Sequence, residues 1–454
     1  MLTLIKKHYK SLKFTPVPYS EYSHIISAAK KSNPMVWIPG WKLTDQKNKE
    51  IILFDIGCLI FGSGNNTTVS TENHIESIKG TDVFSFLKVM ETEWKSIHNS
   101  SFDFYFGLLS YDLQHKKHHI IANTNFYQLP EYYIILPGNG YIVDHSQKTM
   151  IRINGTQPAV RFPKKIVNNT SNDTKYEKTG ENRQQYQHQI SRIRDLIIEG
   201  EVYQLNYTTR FSASLQSSGF DFFKQLYENN RAPFSFYLHL PDAEIISNSP
   251  ERFLQVSGNE VTTCPIKGTI HRGANYIEDK KLARQLEQSE KDAAELSMIV
   301  DLMRNDLSTV CRPGTVKVSC HKNLETFKNV HHLVSTVNGT LEDEKSFVDL
   351  LENAFPGGSI TGCPKIAAMK YINELEIQNR SFYTGSFFLR FPNQDIFDST
   401  ILIRTAIKKE SMIHFQAGGG ITIDSNAADE YNEILAKADS FLTTMEQINA
   451  LDYD

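Results

Sequence analysis

A polar stretch, PKKIVNNTSNDTKYEKTGEN (163–182), sets the first limit on how this chain can fold. It is rich in Asn, Thr and Lys, with Ile166 and Val167 as its only aliphatic residues. Such a segment buries too little apolar surface to offset the entropy of ordering it. It reads as a linker or long exposed loop. The chain therefore divides into an N-terminal region, residues 1–162, and a C-terminal region, residues 183–454. At 454 residues the whole exceeds one ordinary core, so two domains or one large composite domain is expected.

Strand-like runs alternate with turns before the polar stretch: EIILFDIGCLIF, FDFYFGLLSYDL and EYYIILPGNGYIV. After it, Ile190, Ile193, Leu196 and Ile197 recur at helical spacing, Gly200 marks a stop and a strand follows. RFLQVSGNEVTTCPI has two β-rich arms meeting at Ser257-Gly258-Asn259, a hairpin signal. One long helix is predicted over 277–307, with Leu282, Leu286, Leu296, Ile299 and Met303 on one face. NVHHLVSTVNGTL alternates like a strand. A last helix begins near Ala427, with Asp424, Ser425 and Asn426 as possible caps.

Net charge is −4, which gives no electrostatic basis for binding nucleic acid or an anionic membrane. No run approaches the ~18 apolar residues of a membrane helix, and MLTLIKKHYKSLKF lacks a signal-peptide core. The five cysteines form no CxxC pair, as expected of thiols in a reducing compartment. The expectation is a cytoplasmic protein.

Several residues could carry chemistry, and each has a plainer reading. Glu430, Glu433 and Lys437 share one face of the last helix, which a surface Glu-to-Lys pair also explains. Just before that helix, however, QAGGGI places Gly418, Gly419 and Gly420 in succession. Consecutive glycines weaken a strand unless a backbone or ligand must approach closely. Clustered carboxylates after such a run suit an anionic ligand beside a divalent cation. Glu295 borders the buried face of the long helix and could complete that set or simply be solvated. Glu251, fixed by Pro250, is either a cap or an acid. His332 alternates with Val330 and Val334 and could be a core histidine. Arg404, in ILIRTAI, reads as a strand arginine that needs an anionic partner. Lys267, in CPIKGTIHRG, is either a surface charge or an amine made nucleophilic by desolvation.

Taken together, EGEVYQLNYTTRF, SNSPERF, PIKGTIHRG, EKDAAELSMIVDLMRNDL, HHLVSTVNGTL, PGGSITGCPK, YTGSFF, LIRTAI, QAGGGI and ADEYNEILAKA resemble the chorismate-utilising enzymes, the family of anthranilate, aminodeoxychorismate and isochorismate synthases. The segments fall in family order across roughly residues 186–442, which is far more specific than one motif. The region before them is similar to the family's more variable N-terminal part. The resemblance implies an α+β fold, two antiparallel sheets packed as a sandwich with helices outside and an active-site cleft between the halves.

It also implies roles. Glu295 and Glu433 match Mg²⁺ ligands, and Glu430 supports them through bound water. Glu251 matches the general acid that protonates the departing 4-hydroxyl, and His332 lines the ring beside it. Tyr383 and Arg404 match contacts to the enolpyruvyl carboxylate. Gly418 and Gly420 match backbone donors, and Lys437 matches a carboxylate contact. Gly268 and Thr269 of the PIKGT motif, and Ser359, where the family often has Thr, join the substrate contacts. Gln204 stands where water-adding members carry a lysine base, which argues against isochorismate chemistry. Members that aminate chorismate at C2 typically carry Ala within PIxGT, and those that aminate at C4 carry Lys. Lys267 thus resembles the nucleophile of the 4-amino branch.

No glycine-flanked nucleophilic cysteine is present, so the expected ammonia source is a separate glutamine amidotransferase subunit. The N-terminal region lacks the LLES-type stretch of tryptophan-inhibited members, so no tryptophan feedback is expected. The alternatives are an anthranilate synthase large subunit and a non-catalytic chorismate-binding protein. Retention of the acid, the metal ligands and the lysine speaks against the second.

Overall fold

The computed structural model describes residues 2–31, 34–44, 47–94, 103–155, 181–327 and 330–451. Most of the polar stretch, residues 163–180, lies outside these. Its last residue, Asn182, caps the helix Arg183–Ile198 by accepting from the Gln185 amide, and Gln185 returns the bond. Gly200, at φ +82°, closes that helix as its sequence position suggests.

The strands among the described residues form two antiparallel sheets, of 11 and 12 strands. At the heart of the first lie Val36–Thr44, Phe234–His239, Glu244–Ser249, Thr405–Lys409, Met412–Ile421 and Gln204–Ser214, in that order. The second runs from Ile266–His271 through Val330–Thr340, Glu260–Thr263, Arg252–Ser257, Ile396–Ile401 and Ser386–Phe391. From there it continues into Tyr105–Leu109 and Tyr132–Pro137. Both sheets join strands from the two ends of the chain, through Tyr237 opposite Trp37 in one and Phe387 opposite Leu108 in the other.

The sheets pack face to face through aromatic rings. Phe236 of the first stacks on Phe387 of the second at 3.9 Å, and Trp41 donates its indole N–H to Asp398 Oδ2 at 3.1 Å. Helices lie outside: Ala427–Leu451 covers Met412–Ile421, and Glu290–Ser308 covers Val330–Thr340. The α+β architecture expected from the sequence is the one observed. The hairpin is also present, with Gly258 at φ +59° in its turn. All five cysteines are free. Among the described residues no helix is long and apolar enough to cross a membrane.

One expectation is corrected. The single helix predicted over 277–307 is two helices, Tyr276–Glu287 and Glu290–Ser308. The Ser289 hydroxyl accepts from the Asp292 amide at 3.2 Å and so starts a new helix rather than continuing the old one. The signal was a Ser followed three residues later by Asp, overridden by the regular leucine spacing.

The most consequential buried contact is an ion pair. Arg380, 1 % exposed, meets Glu376 through Nε at 2.9 Å and Nη2 at 2.7 Å. It also donates to the Ile360 carbonyl at 2.8 Å, the Asn206 carbonyl at 2.7 Å and, more weakly, Thr384 Oγ1 at 3.4 Å. Glu376 in turn accepts from the Thr208 amide and hydroxyl. Arg380→Ala should therefore destabilise the fold by about 3–5 kcal/mol, because it strands a buried carboxylate. The double change Glu376→Met, Arg380→Met should cost much less, and urea unfolding of the two variants checks the difference.

Candidate active site

The site forms where the chain passes between the sheets. Glu251 follows Pro250 at the step from Glu244–Ser249, in the first sheet, to Arg252–Ser257, in the second. Arg404 sits at the reverse step, between Ile396–Ile401 and Thr405–Lys409. The two steps are laced together: Ser249 Oγ donates to the Ile401 carbonyl at 2.6 Å, and Thr400 Oγ1 donates to the Glu251 carbonyl at 2.7 Å. Arg404 is thus not a strand residue, as its apolar flanks suggested. It has φ +48°, a left-handed conformation that turns the chain between sheets. Among the described residues no carboxylate pairs with its guanidinium, and burial alone lowers its pKa.

Glu251 is 5 % exposed and accepts a hydrogen bond from Ser359 Oγ at 2.9 Å. Burial pushes its carboxyl up from 4.5 to about 7, against the opposing pull of Ser359, Lys267, the Ile266 amide and Lys437. Lys267 Nζ reaches the Ser359 carbonyl oxygen at 3.5 Å. The lysine is aimed by a β-bulge, since Lys267 pairs with Leu333 and Thr269 with His332, leaving Gly268 extra. Gly268 has φ +75°, and a Cβ there would lie 2.9 Å from Leu286 Cδ1, so glycine is required. His332 accompanies the bulge, its Nδ1 2.8 Å from Thr269 Oγ1. Burial and then Arg404 lower its pKa to about 4, so the imidazole is neutral at physiological pH.

The three consecutive glycines fall between two sets of polar groups. A Cβ on Gly420 would meet Gln204 Nε2 at 2.3 Å and Lys267 Nζ at 3.4 Å. A Cβ on Gly419 would lie 3.2 Å from Glu430 Oε2 and 3.8 Å from Glu433 Oε1. Gln204 is buried, and among the described residues its Oε1 has no hydrogen-bond partner. Lys437 donates to the Gly418 carbonyl at 2.8 Å and pairs with Glu433 at 2.7 Å.

Glu295 and Glu430 meet on Lys291, 3.9 and 3.5 Å from its Nζ. Ser425 Oγ also donates to Glu430 Oε1 at 2.7 Å. Burial, the largest influence, raises the pKa of Glu295 despite Lys267 and Lys291. Glu433 is also pushed up by burial, but Lys437, Lys291 and Lys267 outweigh that and leave it lowered. Among the described residues no group of three or more His, Cys, Asp or Glu side chains is drawn together closely enough to hold a metal. Lysine ammonium groups lie between these carboxylates instead.

The structure thus brings Glu251, Ser359, Lys267, Gln204 and Gly420 together, with Glu295, Glu430, Glu433 and Lys437 beside them. Tyr383 is buried nearby, with Arg380 and Glu376 as its charged neighbours, and burial raises its pKa. Thr269 is exposed and serves His332. Lys291 is the residue that sequence reasoning missed. Its spacing of four from Glu295 was visible, but its reach to Glu430 depends on two helices meeting.

Because Glu251 binds its proton more tightly folded than unfolded, its stabilising effect is complete below pH 4.5 and lost as pH rises through about 7. Glu251→Gln should remove that loss, worth on the order of 3 kcal/mol at pH 8. The variant should melt above the wild type at pH 8 and converge with it near pH 5, while losing activity. Melting curves across this range test the assignment.

The chorismate binding enzyme family matches residues 42–443, which contain every site residue named above. The aminodeoxychorismate synthase component 1 of Klebsiella aerogenes is 38% identical over 347 residues, 75% of this chain and 76% of that protein. Its counterpart from Escherichia coli strain K12 is 35% identical over 410 residues, 88% of this chain and 90% of that protein. The crystal structure of anthranilate synthase component I from Streptococcus pneumoniae TIGR4 superposes with a TM-score of 0.72 at 27% identity, covering 87% of this chain and 92% of the other.

Proposed function

We propose that this chain, which belongs to the chorismate binding enzyme family, aminates chorismate at C4 to give 4-amino-4-deoxychorismate. In this reading it is the chorismate-binding subunit, supplied with ammonia by a separate glutamine amidotransferase. Its product would be a cytoplasmic precursor of 4-aminobenzoate and folate. The observation that carries the reading is the placement of Lys267, whose amine shares Ser359 with the buried acid Glu251.

In the proposed reaction the Lys267 amine bonds to ring C2, the double bonds shift, and the C4–O bond breaks. Hydroxide is a poor leaving group, so Glu251 supplies a proton and water departs. A carboxyl held near 7 by burial is suited to that transfer at neutral pH. Ammonia then bonds to C4 as the C2–N bond to Lys267 breaks. Atoms balance as chorismate plus ammonia giving aminodeoxychorismate and water. The Arg404 guanidinium, which has no carboxylate partner among the described residues, suits a substrate carboxylate, and Gln204 Oε1, without a hydrogen-bond partner among them, can accept from an N–H of the amine.

Glu295, Glu433 and Glu430, balanced by Lys291 and Lys437 in this arrangement, offer the oxygen donors a hard cation takes and would have to draw closer together to hold it. When bound there, Mg²⁺ would offset the carboxylate charge and anchor the ring carboxylate. Glu433→Gln should accordingly cut turnover at least about a hundredfold with little change in melting temperature. Near-normal turnover at saturating Mg²⁺ would remove Glu433 from that role.

Likeness to an anthranilate synthase structure supports a second reading, amination at C2. Product analysis with chorismate, Mg²⁺ and ammonium separates the two. The wild type should yield aminodeoxychorismate, and Lys267→Ala should lose it about a hundredfold or more, with some 2-amino product gained. Fluorescent anthranilate from the wild type, or a change of only a few-fold in Lys267→Ala, would overturn the C4 assignment.

A further inference from the structure

The Gly358–Ile360 turn is held on several sides. A Cβ on Gly357 would lie 2.9 Å from Ile401 Cδ1, and one on Gly358 would lie 2.5 Å from Leu302 Cδ2. Thr361 Oγ1 donates to the Gly357 carbonyl at 2.9 Å, and Arg380 Nη1 donates to the Ile360 carbonyl at 2.8 Å. Ser359 sits at the centre of this turn and is 6 % exposed. Its two oxygens meet two different reacting groups: Oγ donates to Glu251 Oε1 at 2.9 Å, and the carbonyl oxygen accepts from Lys267 Nζ at 3.5 Å.

We propose that Ser359 is a positioning residue that fixes the acid and the amine to one rigid turn, the acid through its hydroxyl and the amine through its main chain. This rests on the roles given above to Glu251 and Lys267. The two attachments differ in kind, so substitution can separate them. Replacing the side chain releases Glu251 and leaves the carbonyl facing Lys267. The groups facing the Glu251 carboxyl are the Ser359 hydroxyl, the Ile266 amide and the ammonium groups of Lys267 and Lys437. Each favours the charged form, so removing the hydroxyl raises the pH at which the acid loses its proton. A residue that merely touched substrate would alter KM and leave that pH unchanged.

The test is chorismate consumption at saturating ammonium, measured as kcat/KM across pH for the wild type, Ser359→Ala and Ser359→Thr. Ser359→Ala should move the alkaline limb upward by about one pH unit and lower kcat about tenfold. Ser359→Thr, which keeps a hydroxyl, should retain the wild-type limb and rates within a few-fold. If Ser359→Ala melts early, Ser359→Cys offers a weaker donor in similar volume and should shift the limb in the same direction. An alkaline limb that stays in place in the folded Ala or Cys variant would overturn the proposal, as would a Thr variant displaced as far as Ala. Consumption is scored whatever the product, so a wild type that makes anthranilate would defeat the C4 reading without deciding this one.

Discussion

A guanidinium that is 1 % exposed can stay charged inside a protein only if its partners are placed well, and Arg380 has them. Its Glu376 contact costs solvation on both sides, and the four hydrogen bonds to Glu376, Ile360 and Asn206 offset it. Those bonds join the start of the Gln204–Ser214 strand to the turn that carries Ser359. Asp112 extends the network into the N-terminal region, accepting from the Asn379 side chain at 2.7 Å and the Ser381 amide at 2.9 Å. The positions of Gln204 and Ser359 therefore depend on one buried ion pair that need not touch substrate.

The electrostatics of the site follow from burial set against a few lysines. Glu251 lies near Lys267 and Lys437, yet desolvation wins and its carboxyl holds a proton near neutrality. Glu433 is half-exposed, and three lysines outweigh its partial desolvation and lower its pKa. Two carboxylates in one cleft are thus driven in opposite directions, the separation an acid and a charged ligand require.

Much of this was legible in the sequence, for identifiable reasons. The glycine run pointed to a close approach, and Gly420 does crowd Gln204 and Lys267. The Glu430, Glu433 and Lys437 spacing gave one helix face, because helical periodicity is local. What stayed hidden depended on contacts between distant segments. Helical spacing could not show that Ser289 would restart a helix. Nor could it reveal Lys291 between Glu295 and Glu430, whose helices meet only in three dimensions. Arg404 was misread as a strand residue because apolar flanks look alike in a strand and at a crossing between sheets. The Gly268 bulge depends on register against Leu333 and His332, which no short motif encodes.

The proposed role of Lys267 is that of a nucleophile rather than a half-buried countercharge. It is tested most directly by incubating the protein with chorismate and Mg²⁺ without ammonia, quenching rapidly, and mapping peptides by mass spectrometry. The peptide bearing Lys267 should gain the mass of chorismate less water, and added ammonium should discharge it. An unmodified Lys267, in protein that forms aminodeoxychorismate once ammonium is supplied, would contradict it.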